Sequence, residues 1–487
     1  MCMETTLQRL FFAGSAVGSC ATRTGLIGLG LAVSLSLGTL PVRAQVDFAP
    51  AQNFYAGGNP NSVAVGDFDG DGDLDLALAN GSYGDSGPVS VLLNDGQGVF
   101  SAPSTFGAGD LPVSVVAGDL DGDTDLDLAV ANGGFDSEAV SVLKNNGDGT
   151  FGPPQAFQIS GLGFPYAVTT GDLDGDGDLD LVAVSTYDLG AVSVLLNRGN
   201  GSFVETGFDY GGYGLNAVTV GDLDGDGDLD VAITSSGFGD NGYVVVFLNN
   251  GKGELSFISS INVGGNPLSI QAADFNGDGD TDLVSADASF SALSVLLGNG
   301  NGTFASPQSI SIKIRPYSVT VGDFDGDGDL DLATANYGSD NISVLLNGGG
   351  GDFAPALDFA ADKGTRSINV GDFDGDGNLD LVAANFQAAN VSVLLNTTGL
   401  DAALSIDTFT PRRGPAGTEV TISGSGFAEA TAVLFKGNTT RAVPADFTVV
   451  SDTEIMAIVP TGAVSGRILV KNPTGTATSR GRFEVTP

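Results

Sequence analysis

Asp67-Phe68-Asp69-Gly70-Asp71-Gly72-Asp73-Leu74-Asp75 sets carboxylates at positions one, three, five and nine of a short loop, with glycine at position six. The loop returns from Asp119, Asp172, Asp222, Asp274, Asp323 and Asp372, at separations of 52, 53, 50, 52, 49 and 49 residues. So regular a spacing marks a repeat architecture. Alternating acidic side chains on a tight turn aim several oxygens at one centre, which suits a hard cation, calcium above all, that takes roughly six to eight oxygen ligands. The candidate ligands are the side chains at positions one, three, five and nine and the backbone carbonyl at position seven, with position nine closing the site as a bidentate carboxylate. In the first three loops they are Asp67, Asp69, Asp71, Asp73 and Asp75; Asp119, Asp121, Asp123, Asp125 and Asp127; and Asp172, Asp174, Asp176, Asp178 and Asp180. The next two loops supply Asp222, Asp224, Asp226, Asp228 and Asp230, then Asp274, Asn276, Asp278, Asp280 and Asp282. The last two supply Asp323, Asp325, Asp327, Asp329 and Asp331, then Asp372, Asp374, Asp376, Asn378 and Asp380. Up to seven calcium ions are expected.

An EF-hand begins in the same way but closes with an acid at position twelve, between helices. Position twelve here is Leu78, Val130, Ala183, Ile233, Ser285, Thr334 and Ala383, which excludes it. The flanks are strands: SVAVGDF and SINVGDF are typical before the loop, DLALAN and DLVAVS after it. The loop therefore closes a β-hairpin. A lone DxDxDG reads as a solvated acidic turn, but seven copies in register would repel themselves apart without a cation.

Each repeat continues with a third strand, such as PVSVLLN or NVSVLLN, then a glycine-rich turn and a fourth strand that begins near a phenylalanine. Four short strands in about 50 residues is the dimension of a propeller blade. No fourth strand follows Asn396, and the missing copy stands ahead of the first repeat, at Phe48-Ala49-Pro50-Ala51-Gln52-Asn53-Phe54. Residues 46–58 are thus expected to add the outer strand of the last blade and remove a free edge. The expected fold is an all-β chain: a seven-bladed β-propeller over 45–400, then a small β-sandwich over 401–487.

These features resemble the FG-GAP, or VCBS-type, repeats of integrin α-chain-like β-propellers, through DxDxDGxxD, the preceding Gly-Asp-Phe/Leu and the sevenfold count. The resemblance implies calcium in the hairpin loops, on the face opposite the one that meets ligands, and roles ranging over adhesion, carbohydrate binding and some enzymes. Two copies depart from the pattern, with Thr124 for glycine at position six and Asn276 for aspartate at position three. A β-branched residue where φ is positive is strained, and a neutral amide attracts a dication less, so these sites are expected to be the weakest. Asn378, at the carbonyl position, is expected to be harmless.

Composition frames the setting. The chain has 487 residues, a formal charge of −41 and no histidine. Residues 1–44 read as a signal peptide, with Arg9 and Arg23 ahead of an apolar run and Val42-Arg43-Ala44 as the cleavage site; Val17-Gly18-Ser19-Cys20, a faint lipoprotein box, ranks second. Cys2 and Cys20 both lie in this segment, so the exported protein would have no disulfide and would use calcium as its staple. The expected location is extracellular, with the periplasm or cell surface as alternatives, for a monomer that does not span the membrane. Residues 45–400 carry 7 basic against 50 acidic residues, which excludes nucleic acid as a partner.

At the end of each blade away from the loops stands an aromatic residue: Tyr83, Phe135, Tyr187, Phe238, Phe290, Tyr337 and Phe386. Packing between blades is their expected role. Phe164, Tyr166, Tyr210, Tyr213 and Tyr317 mark the links between blades, and Lys313, Arg315, Lys363 and Arg366 lead into the last two. Aromatic and basic groups on one face suit a sugar chain or an anionic partner, with tolerated loop variation as the competing account. The C-terminal segment, through Pro411, Gly414, Gly417, Gly424 to Phe427, Pro460 and Gly466, is similar to IPT/TIG immunoglobulin-like domains and reads as a spacer or adhesive module. The leading expectation is a secreted calcium-binding module for adhesion or recognition of extracellular glycan or protein. A polysaccharide-acting enzyme is the alternative, disfavoured by the missing histidine and by only three propeller glutamates, Glu138, Glu205 and Glu254. A matrix scaffold without a discrete ligand is the third.

Overall fold

The computed structural model describes residues 46–81, 87–134, 139–159, 162–237, 241–398, 404–427, 430–437, 442–451, 453–472 and 475–487. The expected signal segment, both cysteines, Tyr83, Phe135, Phe238 and the side chains of Tyr187 and Tyr210 lie outside this description. No helix among the described residues is long and apolar enough to cross a membrane.

Alternating Val and Ala positions carry the chain into the first loop as strand Pro60–Gly66 and out of it as Asp75–Asn80, with Gly66 opposite Asp75. Strands Pro88–Leu92 and Ser104–Gly107 complete a four-stranded antiparallel sheet. The same register returns at each loop, pairing Gly118 with Asp127, Gly171 with Asp180 and Gly322 with Asp331. Seven such sheets follow one another before residue 397. The third departs from the pattern, its second and third strands running on as one, Asp180–Asn197. Every residue of Asp75–Asn80 is buried, because the second strand lies between two neighbouring sheets, whereas the outer strand Ser104–Gly107 is largely exposed.

The strand pairing uses the start of the described chain to finish its last repeat. Gln52–Tyr55 pairs with Asn390–Leu394, with Gln52 opposite Val393 and Tyr55 opposite Asn390, and Phe48 bridges to Asn396. Phe48 packs edge-on against Phe324 and Phe359 of the sixth sheet.

Neighbouring sheets share their cores. Ala64, Phe68, Val89 and Val91 of the first sheet form one cluster with Val115, Leu128 and Phe151 of the second, and Val63, Leu76 and Leu78 form another with Val382, Val391 and Val393 of the seventh. Hydroxyls repeat the same step: the amide of Val115 donates to Ser62 Oγ at 3.3 Å, that of Val319 to Ser269 at 3.2 Å and that of Val63 to Ser367 at 3.3 Å. The glycine before six of the seven loops, Ala273 being the exception, has a packing reason at the first, since a Cβ on Gly66 would fall 2.6 Å from Leu126 of the second sheet's loop.

Residues from Ser405 onward form two four-stranded sheets and one short parallel pair. Val420, Ile422 and Ile455 of one sheet bury against Val433, Phe435 and Val470 of the other. Replacing Phe48 by Ala is expected to cost about 3 kcal/mol, and deleting residues 46–58 to expose Asn390–Leu394 as an open edge. Denaturant unfolding checks the first. Size-exclusion chromatography checks the second through the appearance of self-associated species.

Candidate functional site

Position one builds each loop. Asp67 Oδ1 accepts the amide of Gly70 at 2.8 Å and Oδ2 that of Gly72 at 3.0 Å, while Asp71 Oδ1 accepts the amide of Asp73 at 2.9 Å. Gly72 has φ +96°, which explains the preference for glycine at position six. Position nine anchors the loop to the sheet. Asp75 is fully buried, its Oδ2 accepting from the amide of Phe68 at 2.9 Å and its Oδ1 from that of Asn94 at 2.8 Å. Each oxygen keeps lone-pair capacity beyond that bond.

Carboxylate oxygens of Asp67, Asp69 and Asp71 come within 4.8 Å of one another, as do those of Asp119, Asp121 and Asp127, of Asp172, Asp174 and Asp180, of Asp222, Asp224 and Asp230, and of Asp323, Asp325 and Asp331. The cost of this crowding is visible in the acidities. Burial pushes the carboxyls of Asp75, Asp127, Asp180 and Asp230 up to about 6 and those of Asp331 and Asp380 up to about 7, against the donating amides, and raises Asp282 as well. Asp69, Asp174 and Asp224 are raised by burial and then by the neighbouring charges of Asp71, Asp176 and Asp226. An all-oxygen donor set carrying several mutually repelling charges fits a hard divalent cation.

Two features of these loops lay outside the sequence reading. The first is the asparagine that ends each third strand. Asn145 Nδ2 donates to the carbonyl of Leu126 in its own loop at 3.1 Å and to that of Phe68 in the preceding sheet's loop at 2.9 Å. Asn197, Asn249, Asn347 and Asn396 repeat the clamp, and Asn94 makes it from the first sheet to Phe373 of the seventh at 2.8 Å. Gly298 takes this place in the fifth sheet and keeps only the backbone bond to Asp282, at 2.7 Å. The second is the side chain at position seven. A Cβ on Gly96 would collide with the carboxylate of Asp73, and Asp125, Asp178, Asp228, Asp280 and Asp329 stand likewise beside Gly147, Gly199, Gly251, Gly300 and Gly349. In the seventh loop, where Thr398 replaces the glycine, Asn378 instead donates to Asp376 at 3.1 Å.

The departing loops keep the common backbone. Thr124 has φ +81° and its amide still reaches Asp119 Oδ2 at 3.0 Å; Asn276 turns Nδ2 to Asp278 Oδ2 at 2.9 Å. The second loop holds a further difference. Lys144 stands where Leu93, Leu196 and Leu248 pack in other sheets, and its ammonium lies 2.8 Å from Asp121 Oδ2. A fixed positive charge thus already occupies the side of this loop.

The strand that enters each loop begins about 20 Å away, at the other end of the sheet. There one residue from each sheet, Asn61, Val113, Tyr166, Asn216, Leu268, Tyr317 and Arg366, lines a cavity of about 400 Å3. The expected packing of the turn aromatics between blades is corrected for Phe290 and Phe386, whereas Tyr337 lies between the sixth and seventh sheets, its hydroxyl accepting from Gln387 Nε2 at 2.7 Å. Phe290 is 58% exposed, Tyr337 stacks on Tyr317 of its own sheet at 4.7 Å, and Phe386 lies under the Arg366 guanidinium at 3.8 Å, because the turn folds back over the first strand. Of the four basic residues, Arg315 and Arg366 come together over Tyr317 and Tyr337. Lys313 pairs with Asp358 instead, at 3.4 Å.

Sheets of this order, carrying an acidic hairpin loop at one end and a cavity at the other, define a repeat β-propeller. FG-GAP-like repeats match residues 67–130, 119–183, 180–233, 234–285, 274–334 and 323–383, more than half of the chain, and the chain belongs to that family. An IPT/TIG domain matches residues 404–485. Comparison with characterised protein sequences finds no match. Among solved structures, the lectin BP39L of Burkholderia pseudomallei is similar with a TM-score of 0.51 at 15% identity, over 68% of this chain and 94% of that one, a likeness of fold alone. An Agrocybe aegerita lectin that recognises non-reducing terminal N-acetylglucosamine gives 0.43 at 22% identity, over 67% and 86% of the two chains. The periplasmic gluconolactonase PpgL of Pseudomonas aeruginosa gives 0.45 at 19%, over 67% and 89%.

Raised carboxyls in the fold hold protons that the unfolded chain releases, so metal-free protein is expected to lose stability as pH climbs from about 4 to about 7. Calorimetry in chelator should show the melting temperature falling across this window, with the gain on adding calcium widening over the same range. Thr124→Gly is expected to stabilise by about 1 kcal/mol, since nothing lies within 4 Å of a Cβ at the equivalent Gly72 and only strain is relieved. Lys144→Leu should tighten calcium at the second loop, read by titration calorimetry as added sites or affinity.

Proposed function

We propose that the chain is an exported recognition module, stabilised by calcium at its hairpin loops and binding extracellular glycan or protein at the opposite end of its sheets. The carrying observation is the cavity of about 400 Å3, because its described lining contains Asn, Ser, Thr, Gln, Tyr and Arg side chains but no carboxylate and no histidine. Hydrogen-bonding and aromatic groups without an acid-base pair support retention of a ligand over its hydrolysis.

Calcium would be held by the side chains at positions one, three, five and nine and the position-seven carbonyl, and would supply the positive charge that the crowded carboxylates lack. The chain's own residues do the rest: Asp67 and its counterparts fold the loop, Asp75 and its counterparts fix it to the sheet, and the asparagine clamps tie it to the next. The IPT/TIG domain fits an adhesive or spacer role beside this module. Residues 1–44 would direct export and be removed.

The protein incubated with a panel of polysaccharides in calcium is expected to retain one or more of them and to release no new chain ends. Release of cleaved products would instead make the propeller an enzyme. Binding that survives chelation with an unchanged melting curve would remove calcium from the proposal.

A further inference from the structure

Beside the cavity, at the sixth and seventh sheets, two arginines gather around two tyrosines. Arg315 lies 5.9 Å from the centre of the Tyr317 ring and 5.7 Å from that of Tyr337; Arg366 lies 5.8 and 5.5 Å from the same two rings. Two guanidinium groups therefore share one aromatic pair. Neither makes a salt bridge among the described residues, although residues 45–400 carry a net charge of −43; of the four lysines there, Lys144 and Lys313 are paired.

Arg315 also occupies a conformation that suits glycine. Its φ is +59°, and its carbonyl accepts the amide of Tyr337 at 3.0 Å. The fourth and seventh sheets build the same turn on Gly214 and Gly364, at φ +59° and +75°, whose carbonyls accept from Ser236 and Phe386 at 2.9 and 3.0 Å. Leu111 shares the conformation in the second sheet, but there the side chain is buried and packing accounts for it. Arg315 is exposed, so packing does not account for it. Strain accepted for an exposed cation points to a ligand.

Arg366 is prepared for an anion in another way. One Nη donates to Asn61 Oδ1 at 2.5 Å and the guanidinium lies on Phe386, while its Nε is buried and has no acceptor. A planar fork with an unused N–H suits a carboxylate, which accepts two parallel bonds. The adjoining cavity is of small-ligand size, and Gln271 on its lining carries a side-chain amide of the kind that sugar hydroxyls bind, beside aromatic faces for the sugar's C–H surface.

We infer that Arg315 and Arg366, over Tyr317 and Tyr337, bind a saccharide unit carrying one carboxylate beside the cavity. This rests on the recognition reading above and names its ligand class. A long polyanion would meet the negative field of the rest of the propeller, whereas a single terminal acidic sugar meets only the local pair of cations.

The test titrates the full chain, in calcium, with the methyl glycosides of glucuronic acid and of N-acetylneuraminic acid, and with methyl glucoside as the neutral control. At least one acidic sugar should bind about tenfold or more tighter than the glucoside, and its affinity should fall as salt is added. Arg315→Gly should weaken the acidic sugar about tenfold with a melting temperature unchanged or raised, because glycine suits the turn. Lys313→Ala, which removes a nearby charge that is paired with Asp358, should leave affinity unchanged. Equal binding of acidic and neutral sugars, or equal losses in the two variants, would overturn the inference. Neutral glycans bound while acidic ones are refused would overturn it and leave the recognition reading standing; no saccharide bound by any form would count against glycan recognition as well.

Discussion

The buried aspartate at position nine is the interaction on which the propeller depends. Asp75 accepts one amide from inside its own loop and one from Asn94 at the end of the third strand, so a single carboxylate joins loop, second strand and third strand. The side chain of that same asparagine crosses to the loop of the neighbouring sheet. The geometry at one acidic loop is therefore transmitted to the next by a buried polar network, and such networks are stable only when every member is satisfied. Burial raises the carboxyl to about 6, which means that the fold opposes the charge it needs unless a cation compensates it. Stability and affinity for a cation would in this way be two aspects of one arrangement, repeated from sheet to sheet.

The two ends of the sheets obey different rules. At the loop end the sequence is nearly invariant from copy to copy, because the aspartates fold each loop from within and the asparagines tie it to the adjacent copy. At the cavity end the equivalent residues are Asn61, Val113, Tyr166, Asn216, Leu268, Tyr317 and Arg366, with no common chemistry. A rigid repeated end allows the other end to vary, and variation among equivalent positions is what an asymmetric ligand requires.

Much of this was legible in the residues. The loop spacing gave the repeat, the alternating strands gave the hairpins, and the displaced Phe48 segment pointed to the outer strand now seen at Gln52–Tyr55. What escaped notice did so for physical reasons. The asparagine in LLN looks like a turn residue, and its partner is 77 residues away in the case of Asn145 and Phe68, a distance that no local pattern carries. Lys144 reads as one polar substitution in an apolar strand until its ammonium is found at Asp121. The turn aromatics were read as filling between blades, which Tyr337 does through Gln387, whereas Phe386 lies on Arg366 in the first strand of its own sheet. Arg315 and Arg366 are separated by a full repeat in sequence, and only the adjacency of two sheets makes them a pair.

The outer strand of the seventh sheet also sets a timetable. Ser392 hydrogen-bonds to Asn53 across 339 residues of chain, so the segment that holds Asn53 is made long before its partner strand. At synthesis rates of about 5–20 residues per second, it waits roughly 20 to 70 seconds for its partner strand to exist. Each earlier sheet can close from its own residues in the meantime. The sheets thus form as a row of locally folded units, and one late, long-range pairing completes the seventh, so that a chain stopped before Asn390 would leave Gln52–Tyr55 without its partner strand.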